Sequence, residues 1–204
     1  MARRLLILAL VLLAILGISQ LVIPPIMEHS ISDRLTAAGG SADVSLSAFP
    51  AARLLFGDGS RITVTGNGLD LTSESGSGEV FSNLDGYDDV AISIDDFRAG
   101  PLQLSSFELT RDGSEAPYHL VARGRTTPTD LASFGASQFG LPGGPLLSYF
   151  GNQILGRHSI PVGLNMDLES EGGRVVVTSG SGTIAGIPTG PLAELITSVV
   201  VVKL

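Results

Sequence analysis

The chain has 204 residues, no cysteine, and 12 Lys+Arg against 20 Asp+Glu, for a formal charge of −8. That length suits one well-cored domain plus an appendage, and the missing cysteines exclude disulfide frameworks, thiolate metal sites, cysteine nucleophiles and a lipobox anchor. Setting aside Arg3 and Arg4 leaves −10, which argues against nucleic acid or a broad anionic surface as the main partner.

After Arg3 and Arg4 an unbroken apolar run covers residues 5–18, Ser19 and Gln20 interrupt it, and Leu21, Val22 and Ile23 extend it. As a helix, residues 5–23 span about 28 Å, close to a hydrocarbon core of about 30 Å. Gly17-Ile18-Ser19 is a poor match to a small-x-small cleavage site, so residues 1–25 read as a signal anchor or a signal peptide. Arg3 and Arg4 keep the start of the chain cytoplasmic and send residues 26–204 outward as one extracytoplasmic domain.

Pro24-Pro25 are expected to close this helix, and residues 26–38 read as a separate short amphipathic helix stopped by Gly39-Gly40. From Ala42 the period becomes two. Alternation at Val44-Leu46-Ala48, Ile62-Val64, Leu69-Leu71, Val90-Ile92-Ile94, Leu102-Leu104, Leu120-Ala122, Val175-Val177 and Ile160 through Leu168 predicts half-buried strands. Short turns separate them, which predicts an antiparallel sheet with one apolar face. Phe107 and Leu109 fall one residue out of step with Leu102 and Leu104, placing a β-bulge at Ser105-Ser106.

The apolar-free stretch 73–78 reads as a mobile loop or wide turn. A helical interruption is expected where Thr127 caps, Pro128 fills the first turn and Asp130 returns a capping bond. A second apolar helix is expected over 146–155, and 188–200 reads as a third, with 199–202 fitting a final strand equally well. The predicted class is α+β and β-dominated: a long twisted antiparallel sheet curled around a few short helices and preceded by an apolar N-terminal helix.

His29, His119 and His158 lack metal-ligand spacing and read as surface residues. The pairs Asp88-Asp89 and Asp95-Asp96 read as a solvated strand edge, because adjacent strand residues point to opposite faces and cannot converge without a bulge. Gly180-Ser181-Gly182 with Ala185 fits a dinucleotide fingerprint only as letters. Hydrolase and nucleotide-binding signatures are missing, no metal or other cofactor is expected, and the expectation is a protein that is not an enzyme.

Phe49-Pro50-Ala51-Ala52-Arg53-Leu54-Leu55-Phe56-Gly57, followed by Arg61 through Gly66, resembles the early strand region of the actinobacterial LmeA-like phospholipid-binding family. The resemblance implies a tubular-lipid-binding-like fold and a cell-envelope protein that binds phospholipid and supports envelope glycolipid assembly. The large side chains gathered beside Gly and Pro, namely Phe49, Leu54, Leu55, Phe56, Phe134, Phe139, Tyr149 and Phe150, are the expected lipid-contact residues. The expected partners are phospholipid and the cytoplasmic membrane. A scaffolding domain whose own helices close the sheet is the alternative, and an extracytoplasmic hydrolase comes third.

Overall fold

The computed structural model describes residues 2–71, 80–100, 102–127, 130 and 159–183. A long helix, α1 (Ala2–Thr36), precedes β1 (Ser41–Ser47), β2 (Gly59–Asn67), β3 (Asp70–Leu71), β4 (Tyr87–Ala99), β5 (Leu102–Asp112), β6 (Tyr118–Thr126), β7 (Ile160–Glu171) and β8 (Arg174–Thr183). These strands form one open sheet in the order β1-β2-β4-β5-β6-β7-β8, with β3 paired to β4. The β-dominated class with an apolar leading helix is as expected. The stretch 73–78, the expected helices at 146–155 and 188–200, and all of the helix expected after Thr127 except Asp130 lie outside the described residues.

The sheet is mixed rather than purely antiparallel. Neighbours from β4 to β8 are antiparallel, as are β1 and β2, but β2 and β3 both run parallel to β4. Alternation reports which face of a strand is buried, and it looks the same whichever way the neighbour runs. The parallel pairs were therefore invisible in the pattern.

Burial follows the period almost throughout. Val44, Leu46, Ile62, Val64, Val90, Ile92, Ile94, Leu102, Leu104, Leu120, Ala122, Val162, Leu164, Met166 and Leu168 are all buried in one apolar cluster. Val175 and Val177 depart from expectation, being half-buried and exposed. They sit on the outermost strand, next to a register shift opposite Asp167 and Leu168.

The bulge expected at Ser105-Ser106 is present as a register shift between β5 and β6. It has a partner that the sequence reading missed. In β4 both Asp95 and Asp96 are exposed, Asp96 adopts φ 47°, and burial resumes at Phe97. The two slips face each other, so β4 and β5 stay in register: Ile94 opposes Phe107 and Phe97 opposes Leu104. Phe97 and Phe107 meet edge-on at 6.1 Å between ring centroids. The acidic pairs are consequently not a strand edge, since β4 is flanked by β2 and β5. They lie on the outward face of an interior strand.

Pro24-Pro25 do not end the helix, which runs on to Thr36. The prolines remove two N–H donors, but the turns after them are held by tertiary contacts that outweigh the local break. Ile31 and Leu35 are buried in the core. Glu28 Oε1 accepts from the Leu46 N–H at 2.7 Å, and Ser32 Oγ donates to the Ala42 carbonyl at 2.8 Å. These partners belong to β1, the outermost strand on that side, so α1 satisfies an edge that would otherwise present free backbone groups.

Deleting Asp96 or Ser105 alone should turn the apolar residues beyond the deletion toward solvent, whereas deleting both should restore alternation and pairing together. Urea midpoints are expected to fall steeply for each single deletion and to recover much of the loss in the double deletion, a strongly non-additive cycle.

Candidate functional site

The site grows from the junction between α1 and the segment that follows β1. With its amide oriented to satisfy both neighbours, Gln20 donates to the Ala48 carbonyl at 3.3 Å and accepts from the Ala51 N–H at 2.8 Å. The Ser19-Gln20 interruption of the apolar run is thus a further point at which the domain grips the helix.

A cis Phe49-Pro50 peptide leads into a short 3-10 helix, Ala51–Phe56. Its amphipathicity is sharp. Ala51 and Leu54 are wholly buried, whereas Phe49, Leu55 and Phe56 are 71%, 63% and 87% exposed. Gly57 ends the turn at φ 73°, a left-handed conformation natural to glycine, with its N–H bonded to the Leu54 carbonyl at 3.0 Å. Arg53 then clamps the exit with two bonds to Asp58, at 3.0 and 2.6 Å. The Arg53 hydrogen bonds hold the Asp58 carboxyl below its ordinary range, and Asp58 raises Arg53 in turn.

Among the described residues outside α1, the exposed large hydrophobics are Phe49, Leu55, Phe56 and Val177. All but Val177 crowd into this one turn, beside Leu21 and Ile26 of α1, which are 79% and 64% exposed. A groove of about 390 Å³ opens here, lined by Ile26, Met27, Ser30, Ile31 and Arg34 of α1, by Phe56, and by Tyr87 at the start of β4. Its far wall is Ser82-Asn83, from a second 3-10 helix, Val80–Asn83. The two turns meet closely, because a Cβ on Gly86 would lie 2.0 Å from the Gly57 carbonyl oxygen.

Of the expected lipid-contact residues, Phe49, Leu55 and Phe56 are therefore exposed at the junction, and Phe56 lines the groove. Leu54 packs into the core with no exposure. Phe134, Phe139, Tyr149 and Phe150 lie outside the described residues. Met27, Ile31 and Tyr87 were missed because each reads locally as an ordinary apolar position of a helix or strand.

The wall at Ser82-Asn83 is held by a polar cluster the alternation disguised. Arg111 continues the buried face of β5 after Phe107 and Leu109, with its guanidinium 4.4 Å from the Tyr118 ring centroid. It donates to the carbonyls of Leu84 and Tyr87 and lies 3.6 Å from Asp85. Asp85 also accepts from Tyr118 Oη at 3.0 Å and Ser170 Oγ at 2.5 Å, and Phe81 stacks on Tyr118 at 4.1 Å. Burial pushes the Tyr118 hydroxyl well above the ordinary tyrosine range. Arg111 thus fastens the 81–87 segment over one end of the sheet, a job that calls for a charge-assisted fork rather than another aliphatic side chain.

Other polar groups have local partners. Asp89 accepts from Arg61 and from the Gly113 N–H, and the Arg61 bond holds its carboxyl below the ordinary range. Asp167 bonds Ser179 at 2.6 Å and His119 Nδ1 at 2.8 Å, with Ser179 the larger cause of its depressed pKa. The carboxylate is the middle member of that trio, so Ser179 donates to Asp167 rather than to the imidazole, and no base activates its hydroxyl. His29 faces Asp33 at 3.5 Å on the exposed side of α1, and His158 lies outside the described residues. Among the described residues no cluster of three or more His, Asp or Glu could hold a metal ion.

Because the Asp58 carboxyl is depressed in the folded chain, the stability it contributes is present above the ordinary carboxylate pKa and lost as pH falls through its folded value. The Asp58→Asn variant should therefore lose stability near neutral pH and show a shallower acid decline than wild type, read from urea midpoints between about pH 7 and pH 3. Comparison of the chain with protein-family models, curated proteins and solved structures gives no match in any of the three.

Proposed function

We propose that this chain is a non-enzymatic phospholipid-binding protein of the bacterial cell envelope, held to the cytoplasmic membrane by α1 with its sheet domain outside. The observation that carries the reading is the gathering of Phe49, Leu55 and Phe56 beside a groove of mixed apolar and polar lining at the end of the apolar helix. An 18-residue stretch of α1 has a mean hydropathy of 2.9, long and apolar enough to cross a membrane. A signal sequence meets the same test.

The geometry supports the reading on physical grounds. If residues 5–23 span the bilayer, Gln20 lies near its outer boundary. The turn it holds then stands at the height of the acyl-chain and headgroup border, where exposed phenylalanine and leucine are favourable. Burying a Phe side chain against an acyl chain is worth about 1.5–3 kcal/mol, and each buried methylene about 0.8 kcal/mol. A groove at the modest end of ligand-pocket sizes needs few polar groups to hold part of such a chain. The resemblance of the Phe49-to-Gly57 segment to LmeA-like proteins points the same way, and the role in envelope glycolipid assembly rests on that resemblance.

Lipid extracted from the detergent-purified full chain and weighed by mass spectrometry against protein tests this directly. The Phe56→Asn variant should lower bound phospholipid by roughly tenfold, the equivalent of ~1.4 kcal/mol of lost apolar contact, without moving Tm. Leu54→Asn should unfold the domain instead. Wild type carrying no more lipid than Phe56→Asn would defeat the reading and move the scaffolding alternative ahead.

A further inference from the structure

A second cavity, of about 470 Å³, opens at the opposite end of the sheet. It is lined by Arg98 at the end of β4, Gln103 at the start of β5, Arg125 at the end of β6, and Thr127, Asp130 and Ser159. The pairing places three of these in one row: Arg98 opposes Gln103, and Gln103 opposes Arg125. With strands about 4.8 Å apart, the two arginine backbones stand about 10 Å from each other, close enough for both guanidinium groups to reach one anion between them.

Arg53, Arg61 and Arg111 each hold an aspartate. Among the described residues, neither Arg98 nor Arg125 is paired with a carboxylate or hydrogen-bonded through its side chain. Two cations facing one cavity, neither in ion-pair contact with its Asp130 carboxylate, repel each other, an arrangement that an anion bound between them would relieve. The rest of the lining is uncharged or acidic. Ser159 presents a hydroxyl and Gln103 an amide, while the Thr127 hydroxyl is engaged by Asp130. Asp130, bonded to Thr127 Oγ1 at 2.7 Å, puts a carboxylate where a second phosphate would be repelled but a ligand hydroxyl would be welcome.

We infer that this cavity binds a phosphate ester bearing hydroxyl groups, its phosphate gripped by Arg98 and Arg125 and its hydroxyls directed to Asp130, Gln103 and Ser159. The inference does not rest on the lipid reading. Along β4, Tyr87 at the groove and Arg98 at this cavity are roughly eleven residues apart, about 36 Å. The ligand is either the headgroup of a lipid or a soluble phosphorylated polyol or sugar.

Calorimetry on the full chain in detergent micelles tests it with glucose 1-phosphate, inorganic phosphate and glucose. Glucose 1-phosphate should bind saturably and more tightly than phosphate, and glucose should not bind. Arg98→Gln and Arg125→Gln, both at exposed positions, should each weaken binding about tenfold, the loss of one charge-assisted contact. Asp130→Asn should shrink the advantage of glucose 1-phosphate while leaving phosphate affinity equal or higher. Absence of saturable binding by about 10 mM, affinity unmoved by both arginine changes, or equal affinity for phosphate and glucose 1-phosphate would overturn the inference. Repeating the titration with and without a short-chain, water-soluble phosphatidylglycerol, which can reach a cavity about 36 Å from the groove, identifies the source. Competition by phosphatidylglycerol marks a headgroup site, and unchanged affinity marks a soluble ligand.

Discussion

Every interior strand of this open sheet buries the same face, and the rest of the structure follows from keeping that face continuous. An extra residue in one strand would turn all later side chains outward. The chain meets the requirement by setting the slip at Asp95-Asp96 directly across from the slip at Ser105, so that Phe97 and Phe107 return to the core together. The same constraint carries Arg111 inward after Phe107 and Leu109. Its charge is then tolerated only because Asp85, two carbonyls and the Tyr118 ring surround it.

An open sheet also has edges, and the edge at β1 decides where the helix goes. Glu28 and Ser32 take the places that another strand would fill, while Ile31 and Leu35 enter the core from the same helix. The polar and apolar halves of that contact fix the roll of α1, and Gln20 fixes its height relative to the 3-10 turn. A buried Leu54 beneath an exposed Leu55 and Phe56 then follows from a tight turn whose inner residues face the core. The concentration of apolar surface at the junction is therefore a product of how the edge was sealed.

Much of the fold was legible because it depends on local period. The strands, the Ser105 bulge and the Thr127 cap, whose hydroxyl accepts from the Asp130 N–H at 3.1 Å, all announce themselves within a few residues. What escaped depends on partners far along the chain. Parallel pairing of β2 with β4 leaves no mark on either strand, and Pro24-Pro25 signal a break that only contacts with β1 override. The site was half legible for the same reason. Clustered Phe and Leu beside Gly and Pro flagged the 3-10 turn, but which of them face outward depends on Gln20 and on the core beneath. Arg98, Gln103 and Arg125 come together only through register across neighbouring strands.

The unbroken passage of α1 through Pro24-Pro25 has a mechanical consequence. If α1 is the membrane anchor proposed above, a loop after it would let the domain swivel, whereas a continuous helix welded to β1 acts as a lever. An apolar span of about 28 Å adapts to bilayers of different thickness by tilting or by thinning the lipid around it. Any such tilt would be transmitted whole to the sheet, raising or lowering the Phe56 turn and swinging the distal end through a wider arc. In a membrane of varying thickness, the posture of the entire domain would become a readout of the lipid that surrounds its helix.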